Sequence, residues 1–234
     1  MKARIKFEKQ GNLRFIGHLD LMRYFQKANR RAGIPIAYSE GFSPHQIMSF
    51  AAPLSMGVES TAEYADFKLR DDAVMTSEEA VRRLNGEMAE GLRILSFLRI
   101  PDDTPNCMST MYAADYRAWF PEVPQLSGGE LSGLSEAVKT LLDRTELTVM
   151  REGKKGVKEV DIRPMIHSLR AEQDGLYLCI AQGSAANLKP ETVLQALCAL
   201  PGASFLRELK HRYTRTELYD KDMRTLESYG EPIL

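Results

Sequence analysis

At 234 residues, 44% hydrophobic and 27% charged, the chain can bury one large core or two small ones and is too apolar to be intrinsically disordered. A formal net charge of −1 excludes a uniformly basic or acidic protein, and neither the opening MKARIKFEKQ nor any later stretch has the apolar run of a signal peptide or membrane span, so a cytoplasmic location is expected. Cys107, Cys179 and Cys198 are odd in number and far apart, which argues against a disulfide framework, and no C-x2-C pair offers a zinc site.

Residues 2–7 alternate, with Ala3, Ile5 and Phe7 on one side and Lys2, Arg4 and Lys6 on the other, the period of a half-buried strand. Gly11-Asn12 then turns the chain, and residues 13–16 are expected to return to the sheet. From His18 the period becomes helical: Leu21, Phe25, Ala28 and Ala32 form one stripe, with Arg23, Lys27, Arg30 and Arg31 opposite. Gly33 and Pro35 stop this helix. Residues 34–38, 47–52 and 64–69 read as strands, residues from Ser77 as a helix with Ser77 at its N-cap and Gly91 at its end, and residues 92–100 as a closing strand.

Strand, helix, two strands, helix, strand is the order of the ferredoxin-like split βαβ unit. The second half reads the same way. Residues 111–120 are strand-like and 131–142 helical, and residues 146–152 and 157–162 bracket a Gly153-Lys154-Lys155-Gly156 turn. Residues 168–181 form a hairpin around Asp174-Gly175, 190–200 a helix with Pro at its first position, and 205–213 a last strand. The fold class expected is α+β: two ferredoxin-like lobes in tandem, with antiparallel sheets and helices on one face. The lobes span 1–100 and 111–213, joined by an Asp/Pro-rich linker at 101–110 and followed by a charged tail, 214–234, that wraps or frays. Cys107, in the linker, would be a reactive thiol if exposed.

The most unusual text is residues 14–64. The block around His18-Leu19-Asp20-Leu21-Met22-Arg23, the run Arg30-Arg31-Ala32-Gly33, the loop Gly41-Phe42-Ser43-Pro44-His45, and Ala52-Pro53-Leu54 with Gly57-Val58-Glu59-Ser60 resemble the radical SAM-linked proteins. That family is a domain of unknown function commonly encoded beside, or fused to, a cobalamin-binding radical SAM protein. Weaker similarity, including Val160-Asp161-Ile162-Arg163-Pro164, continues through the second half. Two positions depart from the pattern: Gly17 replaces a Ser cap, weakening the helix start, and Gln46 replaces a Pro, freeing the loop. The resemblance implies a radical SAM partner that carries S-adenosylmethionine, an iron–sulfur cluster and cobalamin. This chain lacks the C-x3-C-x2-C spacing for such a cluster and is expected to hold no cofactor itself.

Charge is unevenly spread. Residues 1–45 carry nine Lys or Arg against Glu8, Asp20 and Glu40. Arg14, Arg23, Lys27, Arg30, Arg31 and Ser43 are therefore candidates for anion or nucleic-acid contact, with Phe42 and Phe50 available to stack on bases. The competing reading is a solvated helix face. His18, Asp20, Glu40, His45 and Glu59 are candidate catalytic residues if the fold brings them together; otherwise the histidines are unrelated and Asp20 is a cap. No ligand spacing links them, so no metal is assigned.

The expected function is an accessory protein, not an enzyme by itself, that binds RNA (tRNA or rRNA) through its first lobe and works with a radical SAM protein. Neither membrane nor DNA is an expected partner. Two alternatives stay open: an RNA-processing nuclease or transferase using His18 and His45, since tandem ferredoxin-like lobes are also similar in element order to CRISPR RNA-processing endonucleases, and a purely protein-docking subunit.

Overall fold

In the computed structural model, which describes residues 1–153 and 156–234, the first element is strand β1, Lys2–Lys9. One face meets the sequence expectation, with Ala3, Ile5 and Phe7 fully buried. The other face does not lie in water: Arg4 is 2% exposed and Lys6 is half-buried. The alternation therefore marks an apolar core on one side of β1 and a buried charged layer on the other.

The contacts divide the chain into two units, Met1–Tyr112 with Arg215–Leu234, and Ala113–Thr214. In the first, β1 is followed by helix α1 (His18–Arg31), strands β2 (Met48–Phe50) and β3 (Glu59–Lys68), helix α2 (Ser77–Asn85) and strand β4 (Leu92–Ile100). The antiparallel strands lie in the order β4-β1-β3, with β2 on the far side of β3. Leu21 and Phe25 of α1 meet Phe7, Phe50 and Phe67 in the core, where the Phe7 and Phe25 rings are 4.9 Å apart. Gly33, at φ +64°, ends the helix in the left-handed region that glycine adopts without cost.

Three local expectations for this unit are corrected. Residues 13–15 belong to a 3-10 turn, Gly11–Phe15, that Ile16 closes, rather than to a returning strand. Residues 34–38 make only the isolated bridges Ile36 to Leu69 and Tyr38 to Gln46, because Pro35 has no N–H to continue a ladder. Thr76, not Ser77, caps α2 by accepting from Glu79 N, and the helix stops at Asn85 instead of Gly91. The Asn85 amide is committed to β4, donating to Ile94 O at 3.0 Å and accepting from Ile94 N at 2.8 Å.

The segment 101–110 is not a linker between two units but part of the first. Helix α3 (Cys107–Thr110) packs in the first unit, with Cys107 fully buried and its N–H donating to Asp66 Oδ2 at 2.8 Å. The carboxylate of β3 supplies the partner that draws this stretch inward.

The second unit contains strand β5 (Ala113–Trp119), helix α4 (Gly128–Leu142), strands β6 (Thr148–Gly153), β7 (Gly156–Asp161), β8 (Ile166–Glu172) and β9 (Gly175–Ala181), and helix α5 (Pro190–Cys198). Its sheet runs β5-β9-β8, antiparallel throughout, while β6 and β7 pair with each other in a separate two-stranded sheet. The Lys154-Lys155 turn expected between them lies outside the described residues. Ser127 and Glu130 form a reciprocal capping box at the start of α4. The hairpin at Asp174-Gly175 and the Pro at the first position of α5 appear where the sequence puts them.

The last expected strand, residues 205–213, is instead a 3-10 turn, Ser204–Glu208, followed by strand β10, Arg212–Tyr219. Buried Ala203 and Leu206 are three residues apart, the 3-10 period rather than the strand period. The tail does not fray. It belongs to the first unit from Arg215 onward and ends in strand β11 (Glu231–Pro232), paired with β4. The chain is thus a mixed α/β protein with five α-helices among the described residues.

Candidate anion-binding surface

Helix α1 starts without a side-chain cap, since Gly17 has no acceptor to offer. Asp20 does not substitute for one: its carboxylate accepts from Arg23 at 3.2 Å, both side chains being exposed. His18 turns toward the core, with its ring edge-to-face on Phe50 at 5.7 Å.

Arg23, Lys27 and Arg30 recur at helical spacing and share the outward face of α1. Arg31 points about 100° away from Arg30, and its guanidinium meets Glu87 at 2.5 Å. The expected four-cation stripe is therefore three cations on the outer face and one paired sideways. Lys27 and Arg30 make no ion pair among the described residues.

The Gly-Phe-Ser-Pro-His loop lies beside this helix. Its own closure comes from Ser39 and His45: Ser39 N donates to His45 O at 2.8 Å, His45 N donates to Ser39 Oγ at 3.1 Å, and Ser39 Oγ is 2.8 Å from His45 Nδ1. Gly41, at φ +106°, makes the sharp turn. Gln46 then fastens the loop to α1. It is 5% exposed, donates to Gln26 O at 3.0 Å and accepts from Asn29 Nδ2 at 3.1 Å. The residue expected to free the loop anchors it instead. At the tip Phe42 is fully exposed, with Glu40, Ser43 and Pro44 exposed around it.

Two candidates for this surface are used elsewhere. Arg14 meets Glu59 at 3.3 Å and lies over the Phe15 ring at 4.6 Å, while Gly11 N donates to Glu59 at 3.1 Å, so this pair ties the Gly11–Phe15 turn to β3. Phe50 is 4% exposed and packs edge-on to Phe7 and Phe25, a core ring and not a stacking platform. Of the proposed catalytic set, His18 contacts Phe50, His45 bonds to Ser39, Asp20 pairs with Arg23 and Glu59 with Arg14. Among the described residues neither histidine is paired with a carboxylate, and no group of three His, Cys, Asp or Glu is placed to hold a metal.

What the sequence reading missed is a set of buried charges in the first unit. Arg4 and Asp66 form a two-point pair at 2.7 and 3.0 Å, and Arg215 meets Glu63 at 2.6 Å. Lys6 lies 2.8 Å from Glu217 and 3.1 Å from Glu227, and the Tyr64 hydroxyl donates to Glu217 at 2.6 Å. Burial opposes the charge on Lys6, but its bonds to those two carboxylates outweigh it and raise the ammonium above its ordinary value. Among the described residues Lys9 has no such bond: burial, against attraction from Glu63 and with repulsion from Arg215, lowers it. The signal was present as Glu63 and Asp66 on the strand that pairs with β1. Cys107, the supposed linker thiol, is pushed up to about 12 by burial and the neighbouring Asp66 charge, which makes it inert.

Fold and site together define a two-unit mixed α/β protein whose helix α1 bears outward cations and is joined at Gln26 and Asn29 to a closed aromatic-tipped loop. The chain belongs to the family described as an uncharacterized protein conserved in bacteria, DUF2344, whose model matches residues 2–190. No curated protein matches the chain.

Proposed function

We propose that the chain is a binding subunit that holds RNA on the outer face of α1 and the adjoining loop, and works with a radical SAM protein in the cytoplasm. The observation that carries this reading is the juxtaposition of Lys27 and Arg30, which form no ion pair among the described residues, with a fully exposed Phe42 on a loop anchored to the same helix by Gln46. Unneutralised cations attract phosphate, and an exposed rigid ring can stack on an unpaired base. The radical SAM partner, with its S-adenosylmethionine, iron–sulfur cluster and cobalamin, rests on the family resemblance of residues 14–64.

We also read the first unit as ferredoxin-like. The order β4-β1-β3-β2, with α1 between β1 and β2 and α2 between β3 and β4, supports this. The second unit, with helices after β5 and β9, is read as its tandem counterpart.

The test is a fluorescence anisotropy titration with bulk tRNA at two salt concentrations. Binding should weaken steeply with salt, and Lys27→Ala and Arg30→Ala should each lower the logarithmic salt slope by about 1. Undetectable or salt-insensitive binding overturns the RNA reading. Nuclease-insensitive co-purification with the radical SAM partner would favour protein docking in its place.

A further inference from the structure

Within the second unit a cavity of about 530 Å³ opens between α5, the Ser204–Glu208 turn and the start of β10, lined in part by Glu191, Leu194, Cys198, Arg207, His211 and Tyr213. Its size is that of a small-molecule site. Glu191 lies in the first turn of α5, where the helix dipole favours a negative charge but provides no bond to it. Its Oε2 is buried and, among the described residues, has no hydrogen-bond partner. A buried carboxylate oxygen without a donor is costly, by about 1–3 kcal/mol or more, and unusual enough to require an account.

The remaining walls limit what could satisfy it. Tyr213 is 7% exposed, and burial, with the charges of Glu191 and Cys198, raises its hydroxyl well above the ordinary value, so it is a neutral donor. Burial likewise raises Cys198, which is then a neutral apolar wall beside Leu194. His211 Nε2 lies 2.6 Å from Leu206 O, so that nitrogen carries a proton and donates to the carbonyl. Arg207 stands exposed at the rim. The cavity therefore combines a carboxylate in need of a cationic donor, a guanidinium suited to a carboxylate, and an apolar surface. Glu191 disfavours a phosphate, Arg207 disfavours a purely cationic amine, and one carboxylate with one histidine falls short of a metal ligand set.

We propose that this cavity binds a free α-amino acid with an uncharged apolar side chain, its ammonium on Glu191, its carboxylate on Arg207 and its side chain against Leu194 and Cys198. This assignment is independent of the α1 surface. The experiment is calorimetric titration of the full chain with L-leucine, L-methionine and L-phenylalanine, and with N-acetyl-L-leucine and L-leucinamide. A free amino acid should bind saturably, N-acetyl-L-leucine should give no heat of binding, and leucinamide should bind more weakly. Glu191→Gln, which keeps the shape of the side chain, should weaken binding at least about tenfold, and Arg207→Ala should weaken the amino acid but not the amide. Absence of binding by all three amino acids overturns the proposal, as does equal binding of the acetylated compound. The wild-type comparison of free and capped ligands decides the matter even if a variant fails to fold.

Discussion

The side-chain amide of Gln46 donates to the backbone carbonyl of Gln26 at 3.0 Å and, through its oxygen, accepts from Asn29, so one buried residue joins the Gly-Phe-Ser-Pro-His loop to the flank of α1. Replacing it with Ala leaves the Asn29 amide, itself fully buried, without its oxygen acceptor. Gln46→Ala should destabilise the protein by about 1–3 kcal/mol in urea denaturation. It should also raise hydrogen exchange across residues 39–46 ahead of the rest of the first unit. Unchanged exchange there would mean that Ser39 and His45 hold the loop alone.

Two of the aspartates paired with arginine in the first unit, Asp66 and Asp20, should differ sharply. Asp66 is 3% exposed and serves Arg4 twice and Cys107 N once, so Asp66→Ala strands a buried guanidinium and should cost about 3–5 kcal/mol. Asp20 and Arg23 are about 70% exposed, and Asp20→Ala should change stability by less than about 1 kcal/mol. Chemical denaturation of both variants makes the comparison.

Lys9 gives a pH dependence of definite sign. Its lowered folded-state value means that the folded chain gives up this proton more readily than the unfolded one, so below 10.5 the unfolded state binds more protons and stability rises with pH from the lowered value up to 10.5. Lys6 has the opposite shift, and its contribution is lost only as pH climbs above 10.5 through its raised value. Lys9→Met should abolish the rise on the alkaline side of neutrality and increase stability at neutral pH, read as the denaturation midpoint across a pH series. A parallel curve for variant and wild type would exclude Lys9 as the source.

Two glycines of α4 separate packing from propensity. A Cβ at Gly133 would sit 2.9 Å from Gly202 O, whereas one at Gly129 meets nothing within 4 Å. Gly133→Ala should cost about 1–3 kcal/mol by forcing these backbones apart, and Gly129→Ala should gain about 0.5–1 kcal/mol from helix propensity. Thermal melts of the two variants should shift in opposite directions.

All three thiols should be silent to an aromatic disulfide reagent in the folded protein. Each is buried, Cys107 and Cys179 are pushed up to about 12, and Cys198 is also raised. Labelling should follow the rate of opening rather than reagent concentration. Prompt reaction of one thiol under native conditions would locate a locally open segment.

Much of the local structure is legible from residue order. The apolar face of β1, the start of α1 and its stop before Gly33, strand β4, the Asp174-Gly175 hairpin and the Pro-led α5 all follow from periods and end signals within a few residues. Residues 13–16 and 205–213 did not, because a short apolar run fits a strand or a 3-10 turn equally well until its neighbours are placed, and residues 34–38 did not because Pro35 interrupts the ladder. The same limit applied to the candidate site. Phe50 has the aromatic character of a base-stacking residue, and only its position over Phe7 and Phe25 makes it core. Glu191 carries no local signal: it is an ordinary first-turn carboxylate until the Ser204–Glu208 turn and Tyr213 close around it.

Residue order alone settles which side of α1 bears Arg23, Lys27 and Arg30, because helical period is a property of adjacent residues. Which early cations stay free to meet an anion was decided by the tertiary fold. Asp66 for Arg4, Glu217 and Glu227 for Lys6, Glu59 for Arg14 and Glu87 for Arg31 all arrive from far along the chain. Charge neutralisation depends on distance in space, and a count of charges along a segment contains no such distances.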